Sequence, residues 1–179
     1  FSAGDLRLWA FTQTGATAQT LALTGTARLR IQFSTFNGNV TFSAPRIADI
    51  YGVTFNGTAA FTKNGTPTGS MQRDTLNGWN TFNSTATFTN ATTVGNDSAN
   101  IYFGCLQPDV FNSAVTFNAT GKGSIFVAHN SVGNYFLWAT FNANNLYFAG
   151  IFICYNAGST AAFYAPVTVN SLNGAGGVL

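Results

Sequence analysis

Along this chain, short runs of alternating apolar and small or polar residues recur, separated by clusters of Asn, Gly, Ser and Thr. In the run from Phe111 to Phe117, Phe111, Val115 and Phe117 fall to one side and Ala114 and Thr116 to the other. That is strand periodicity, and no stretch carries a helical stripe. The runs are copies of one phrase: FNGNVTF at 36–42, FNGTAAF at 55–61, FNSTATF at 82–88 and FNSAVTF at 111–117. Degraded copies follow as YFLWATF at 135–141 and FYAPVTV at 163–169. A second phrase lies between them, IYFGC at 101–105, IFVAH at 125–129 and IFICY at 151–155, with Leu6-Arg7-Leu8 and Arg28-Leu29-Arg30-Ile31 as more polar relatives.

A repeat of this length marks a solenoid, propeller or array. The starts of the first phrase are spaced 19, 27, 29, 24 and 28 residues apart. That is short for a four-stranded propeller blade of about 40–45 residues. The reading is an all-β parallel β-helix (β-solenoid) of about six rungs of 24–29 residues, roughly 30 Å long at ~4.8 Å per rung. Stacking turns equivalent positions into ladders. Phe36, Phe55, Phe82, Phe111, Tyr135 and Phe163 form one; Phe42, Phe61, Phe88, Phe117 and Phe141 form another, ending in Val169. Val40, Ala59, Ala86, Val115, Ala139 and Val167 fill the space between. Asn37, Asn56, Asn83 and Asn112 form a polar column whose amides can bond along the stack, at corners expected to be left-handed. The spacing of 19 implies a missing strand or a tighter turn, and residues 62–74 are the most loop-like segment. Residues 1–32 fit the repeat badly and read as irregular or terminal rungs; 33–179 are solenoid repeats, expected to continue beyond both ends. Neither end carries an evident cap, which such a fold requires, so further repeats or further copies stacked end to end are the expected partners.

Composition agrees. Only 7% of residues are charged, there is no Glu, and the net charge is +2. Like charges stacked one rung apart would repel, so a laddered fold favours neutral polar residues. Ample apolar content excludes disorder. The seven cations are scattered along the sequence and predict no nucleic-acid-binding patch. No apolar run is long enough for a transmembrane helix. Cys105 and Cys154 fall two rungs apart and out of register, which favours free thiols over a disulfide.

Candidate chemistry is sparse. Hydrolysis of glycosides takes two facing carboxylates, and the carboxylates here are Asp5, Asp49, Asp74, Asp97 and Asp109, of which Asp74 and Asp109 precede a phrase by eight and two residues and so do not share a column. Asp74, Asp97 and Asp109 read as turn residues, and His129 as a corner residue. No metal spacing, nucleotide loop or nucleophile elbow occurs, so neither a cofactor nor a catalytic residue is assigned. Two surface features could bind a ligand. One is a column of Thr41, Thr87, Thr116, Thr140 and Thr168, one Thr per rung rather than the paired array of an ice-binding face. The other is Trp138, in an outward column otherwise held by Asn39, Thr58, Thr85, Ala114 and Pro166, where an indole could stack on sugar. Trp9 and Trp79 have no assigned position.

The run from Pro108 to Asn118 and the following Gly123 to Asn130 resemble repeats of very large secreted surface proteins of Bacteroidetes-type bacteria, similar to type 9 secretion cargo. The resemblance covers residues 33–179, most clearly 75–170. It implies surface adhesion, gliding or filament building, and supplies no catalytic residues. The expectation is an extracellular or cell-surface structural segment, a stiff non-catalytic rod of a fibre or adhesin that could contact surface glycans. The alternatives are a carbohydrate- or ice-binding solenoid, or a polysaccharide lyase or hydrolase.

Overall fold

The computed structural model describes residues 4–65, 74–93, 99–143 and 150–171. It is all-β, and every strand pairing is parallel. Each rung passes through three positions. The first is a strand of a seven-stranded sheet, here sheet A: β1 (Asp5–Trp9), β4 (Arg28–Gln32), β7 (Arg46–Tyr51), β10 (Asp74–Gly78), β13 (Ile101–Phe103), β15 (Ile125–Val127) and β17 (Ile151–Ile153). The second is a short strand: β2 (Thr12–Gln13), β5 (Thr35–Phe36), β8 (Thr54–Phe55), β11 (Thr81–Phe82) or β18 (Ala161–Phe163). The third is longer: β3 (Gln19–Ala22), β6 (Val40–Ala44), β9 (Ala59–Lys63), β12 (Ala86–Asn90) or β19 (Val167–Ser171). In two rungs the second and third fuse, as β14 (Val110–Ala119) and β16 (Asn134–Ala143), which join them into sheet B. The outcome is the expected parallel β-solenoid of about six turns, with residues 5–22 paired in register as a first rung.

The ladders form because pairing puts like on like. Phe36, Phe55, Phe82 and Phe111 pair in succession, as do Phe42, Phe61, Phe88, Phe117, Phe141 and Val169. Rings within the first ladder stack at 4.7–5.2 Å and near-parallel, for example Phe82 on Phe111 at 4.7 Å and 5°. Within a rung the two ladders meet edge to face, as Phe55 does with Phe61 at 5.6 Å and 87°. Each such pair adds about 0.5–1.5 kcal/mol beyond area burial. The interval is filled by Val40, Ala59, Ala86, Val115, Ala139 and Val167, paired in that order. From sheet A, Leu29, Ile31, Ile50, Leu76, Ile101, Ile125 and Ile151 close the core.

The aromatic ladder needs one correction. Tyr135 is not in it: Tyr135 pairs with Val110, and Phe136 pairs with Phe111 and Phe163. The corner holds Asn112 and Ser113 in one rung but Leu137 alone in the next, so the register shifts by one residue between Phe111 and Ala114. Tyr135 instead stacks on Tyr164 at 4.7 Å. The shift also ends the Asn column at Asn112. Within that column the amides bond as expected, Asn56 donating to Asn37, Asn83 to Asn56 and Asn112 to Asn83, each at 2.8 Å.

The Asn corners are not left-handed. Gly57 serves close approach there, since a Cβ on it would lie 2.5 Å from the Gly38 carbonyl. The left-handed corner is the other one, just after each sheet A strand. Ala10, Phe33, Gly52, Trp79, Gly104, Ala128 and Cys154 follow the seven strands in turn, all with φ between 49° and 63°. The short rung keeps all three strands, because Pro45 alone links β6 to β7. Of the segment expected to be loop, Thr62 and Lys63 belong to β9 and Asp74 opens β10, while 66–73 lie outside the described residues.

Candidate binding surface

Each described carboxylate has a separate role, and three of them are not turn caps. Asp74 is fully buried between Lys63, also fully buried, and Arg46, whose guanidinium lies 2.8 Å away. Lys63 sits in an inward column with Ala44, Asn90, Ala119 and Ala143. Burial lowers its pKa, a drop that the charge and hydrogen bond of Asp74 oppose. Asp109, ahead of β14, is buried too. It accepts from the Asn80 backbone N–H and amide and from the Gly104 N–H at 2.9–3.2 Å. Burial outweighs these donors and pushes its carboxyl up to about 7. Asp5 and Asp49 lie on the outer face of sheet A. Asp97 falls outside the described residues.

That outer face gathers four of the seven cations, Arg7, Arg28, Arg30 and Arg46, contrary to the scatter expected from their sequence positions. Asp5 accepts from Arg7, Arg28 and Arg30. Partial burial raises its pKa, but the hydrogen bonds from Arg7 and Arg28 and the arginine charges bring it below the ordinary value. In the next column Arg7 pairs with Arg30 and Arg30 with Asp49. Asp49 accepts from Gln32 at 2.5 Å and Asn77 at 2.7 Å, and burial raises its pKa. Arg7, Arg28 and Arg30 thus meet two carboxylates on this face, while Arg46 and Lys63 share the buried Asp74.

Beside the arginines runs a ridge of rings. Trp9 meets Phe33 at 5.0 Å, Phe33 meets Tyr51 at 5.4 Å, and Tyr51 stacks on Trp79 at 5.4 Å. Trp9, Phe33 and Trp79 are 64%, 49% and 56% exposed. Trp9 and Tyr51 end their sheet A strands, whereas Phe33 and Trp79 are the left-handed corner residues of the alternate rungs. Gly52 makes room in this ridge, because a Cβ there would come within 3.1 Å of the Phe33 ring. Sequence reasoning placed neither tryptophan. The signal available was a large aromatic directly after the more polar copies of the second phrase.

Further along, the outer face of sheet A becomes uncharged. Tyr102, Phe126 and Phe152 stack at 4.7–4.8 Å. His129, expected at a surface corner, is buried beside Tyr102, with ring centres 4.7 Å apart. Cys105 and Cys154 are free thiols.

The residues proposed for surface binding lie on sheet B. Thr87, Thr116 and Thr140 are half-buried in one column, extended by Thr41 and Thr168, which are exposed. A second outward column, Ser43, Thr62, Thr89, Asn118, Asn142 and Asn170, runs alongside. Its amides bond along the axis, Asn142 to Asn118 at 2.7 Å and Asn170 to Asn142 at 2.8 Å. Trp138 pairs with Ala114 and is half exposed, as its column implied. It is not brought to the ridge: the two lie on different sheets.

Among the described residues, no group of three or more His, Cys, Asp or Glu could hold a metal ion, and no helix is long and apolar enough to cross a membrane. No family model matches the chain, and no curated protein or solved structure matches it.

Proposed function

We propose that this solenoid is a structural segment of an extracellular fibre or adhesin, a stiff rod whose work is to span distance. The observation that carries the reading is the continuity of the ladders. Two Phe stacks and two amide chains run through consecutive rungs with a single one-residue shift in sheet B. In such a stack each rung is held by its neighbours, so load along the axis is shared by every backbone ladder. The four described carboxylates are bonded to arginines, lysine, amides or backbone, an arrangement that favours a scaffold over hydrolysis. At the first rung, Leu6, Leu8, Phe11, Leu21, Phe36 and Phe42 line a recess of about 280 Å³. The rod reading seats a further rung there, from the same polypeptide or from another copy.

The test is the native polypeptide isolated from its source, weighed intact under reducing and denaturing conditions and imaged by electron microscopy. The expected result is a thin rod of constant width, from one very long chain or from copies stacked end to end. Compact particles of one or two solenoid lengths would overturn the reading.

A further inference from the structure

We propose that the ridge of Trp9, Phe33, Tyr51 and Trp79, with the arginines beside it, binds an acidic polysaccharide chain lying along the solenoid axis. This goes beyond the rod reading and does not depend on it.

The ridge is a poor candidate for a purely structural feature. Phe33 and Trp79 occupy left-handed corners, at φ 51° and 53°. Bulky residues there are strained. The same corner is held in the other rungs by small residues, Gly52, Gly104, Ala10, Ala128 and Cys154, so the left-handed turn belongs to the fold and the large rings do not. The strained residues do not fill the core either, because about half of each side chain faces solvent. At these two corners the chain therefore places large exposed rings where small residues serve in the other rungs, and it does so in alternate rungs so that Trp9 and Tyr51 fill the gaps.

The form of the ridge selects the ligand. It is one ring wide and four rungs long, which suits an extended chain better than a globular partner. Trp and Tyr rings offer flat apolar faces with a polar edge, the surface on which pyranose rings stack. Next to the rings lies a fixed set of hydrogen-bonding groups: Asp49 holds Gln32 and Asn77 in place by accepting from both. Carboxylate and amides at set positions suit hydroxyl groups. Beyond them lie Arg7, Arg28 and Arg30, against Asp5 and Asp49 on the same face. Guanidinium groups match carboxylate and sulfate geometry. Arg7 is the most exposed, with 69% of its side chain open to solvent. A chain of sugars stacked on the ridge would set its acidic groups toward this surplus of positive charge. Neutral glycans would lose that contribution. Rings and cations together could also meet an anionic lipid surface, but a single corner ridge presents a line rather than a plane.

The experiment is calorimetric titration of the solenoid with polygalacturonate and with chondroitin sulfate, and with dextran as neutral control. Anionic phosphatidylserine vesicles are assayed by co-sedimentation. The expected result is binding to one or both acidic polysaccharides, weakening at least tenfold between 50 and 500 mM NaCl (about the range over which exposed charges become screened). Trp79→Gly should weaken it at least tenfold while leaving Tm unchanged or raised, since glycine relaxes the corner. Arg30→Gln should weaken it and flatten the salt dependence. Trp138→Ala should change nothing. The proposal is overturned if neither acidic polysaccharide binds at millimolar sugar, if dextran binds equally, if only vesicles bind, or if Trp79→Gly binds like the parent.

Discussion

Sheets A and B are built from the same rungs and obey different rules. In sheet B most core positions hold one residue type from rung to rung, Phe on Phe and small aliphatic on small aliphatic, with one shift in register and with exceptions such as Lys63 between Ala44 and Asn90. In sheet A the register shifts twice, between Leu29 and Arg30 and between Leu76 and Gly78, and one outward column reads Arg7, Arg30, Asp49, Thr75, Tyr102, Phe126, Phe152. Repetition makes the Phe ladders of sheet B alike along their length, because each ring sees the neighbours that the last one saw. Departure from repetition makes each stretch of sheet A individual. In this molecule the positions that could recognise something are those at which the ladder rule is broken.

The sharpest break would come from a charge inside a ladder. Phe111→Asp removes a ring whose loss alone costs about 3–5 kcal/mol and buries a carboxylate in its place. We expect loss of cooperative thermal unfolding in the rungs on either side; a melting curve like the parent's would refute the ladder account of sheet B. Next in size is Asp74→Ala, which strands the buried Lys63 ammonium and should cost about 3–5 kcal/mol in denaturant unfolding. The double change Lys63→Met with Asp74→Leu should recover part of that loss, since Arg46 still loses its carboxylate. No recovery at all would mean that the Arg46 contact, not the buried ammonium, carries the cost.

Asp109→Asn should give a smaller effect with a pH signature. Burial raises the folded carboxyl to about 7 from 3.8, so the folded state holds a proton that the unfolded state has released. The stability that the group contributes is therefore full below about pH 4 and is lost as pH rises through about 7. Measured Tm should favour the parent most at pH 4, with the gap narrowing by pH 8. A gap independent of pH would mean that its three donors hold the carboxylate ionised throughout. The smallest effect belongs to Asn83→Ala, which breaks two exposed links of the amide chain, to Asn56 and from Asn112, for about 1–2 kcal/mol in all. A loss of several kcal/mol there would show that the chain acts cooperatively.

Sheet B was legible in the sequence for a physical reason. A stacked strand must present the same surface to both neighbours, so its residues repeat, and repetition is visible by eye. That is why the phrase FNSAVTF located the Phe ladders, the small-residue fill and the amide chain. Tyr135 was misplaced because its rung lacks one corner residue, and a spacing count cannot tell a deletion at a corner from one in a loop. The arginine face was hidden because Arg7, Arg28, Arg30 and Arg46 are scattered in sequence and meet only when β1, β4 and β7 pair. Lys63 and Asp74 read as loop residues because two charges inside a core cannot be seen as a pair from one chain of letters. The left-handed corners left no glycine signature, since five of the seven are not glycine.

The two amide chains carry one further consequence. Asn56, Asn83 and Asn112 all donate toward the preceding rung, and so do Asn142 and Asn170. Every one of these side-chain dipoles therefore points the same way, with its amino group toward the first rung and its oxygen toward the last. The solenoid is a vector: its two ends differ in electrical sense as well as in sequence. Neither chain spans the whole solenoid, since the first stops at Asn112 and the second starts at Asn118, yet both keep one sense. Any fibre of copies stacked head to tail would repeat that sense and be polar, with one growing end unlike the other.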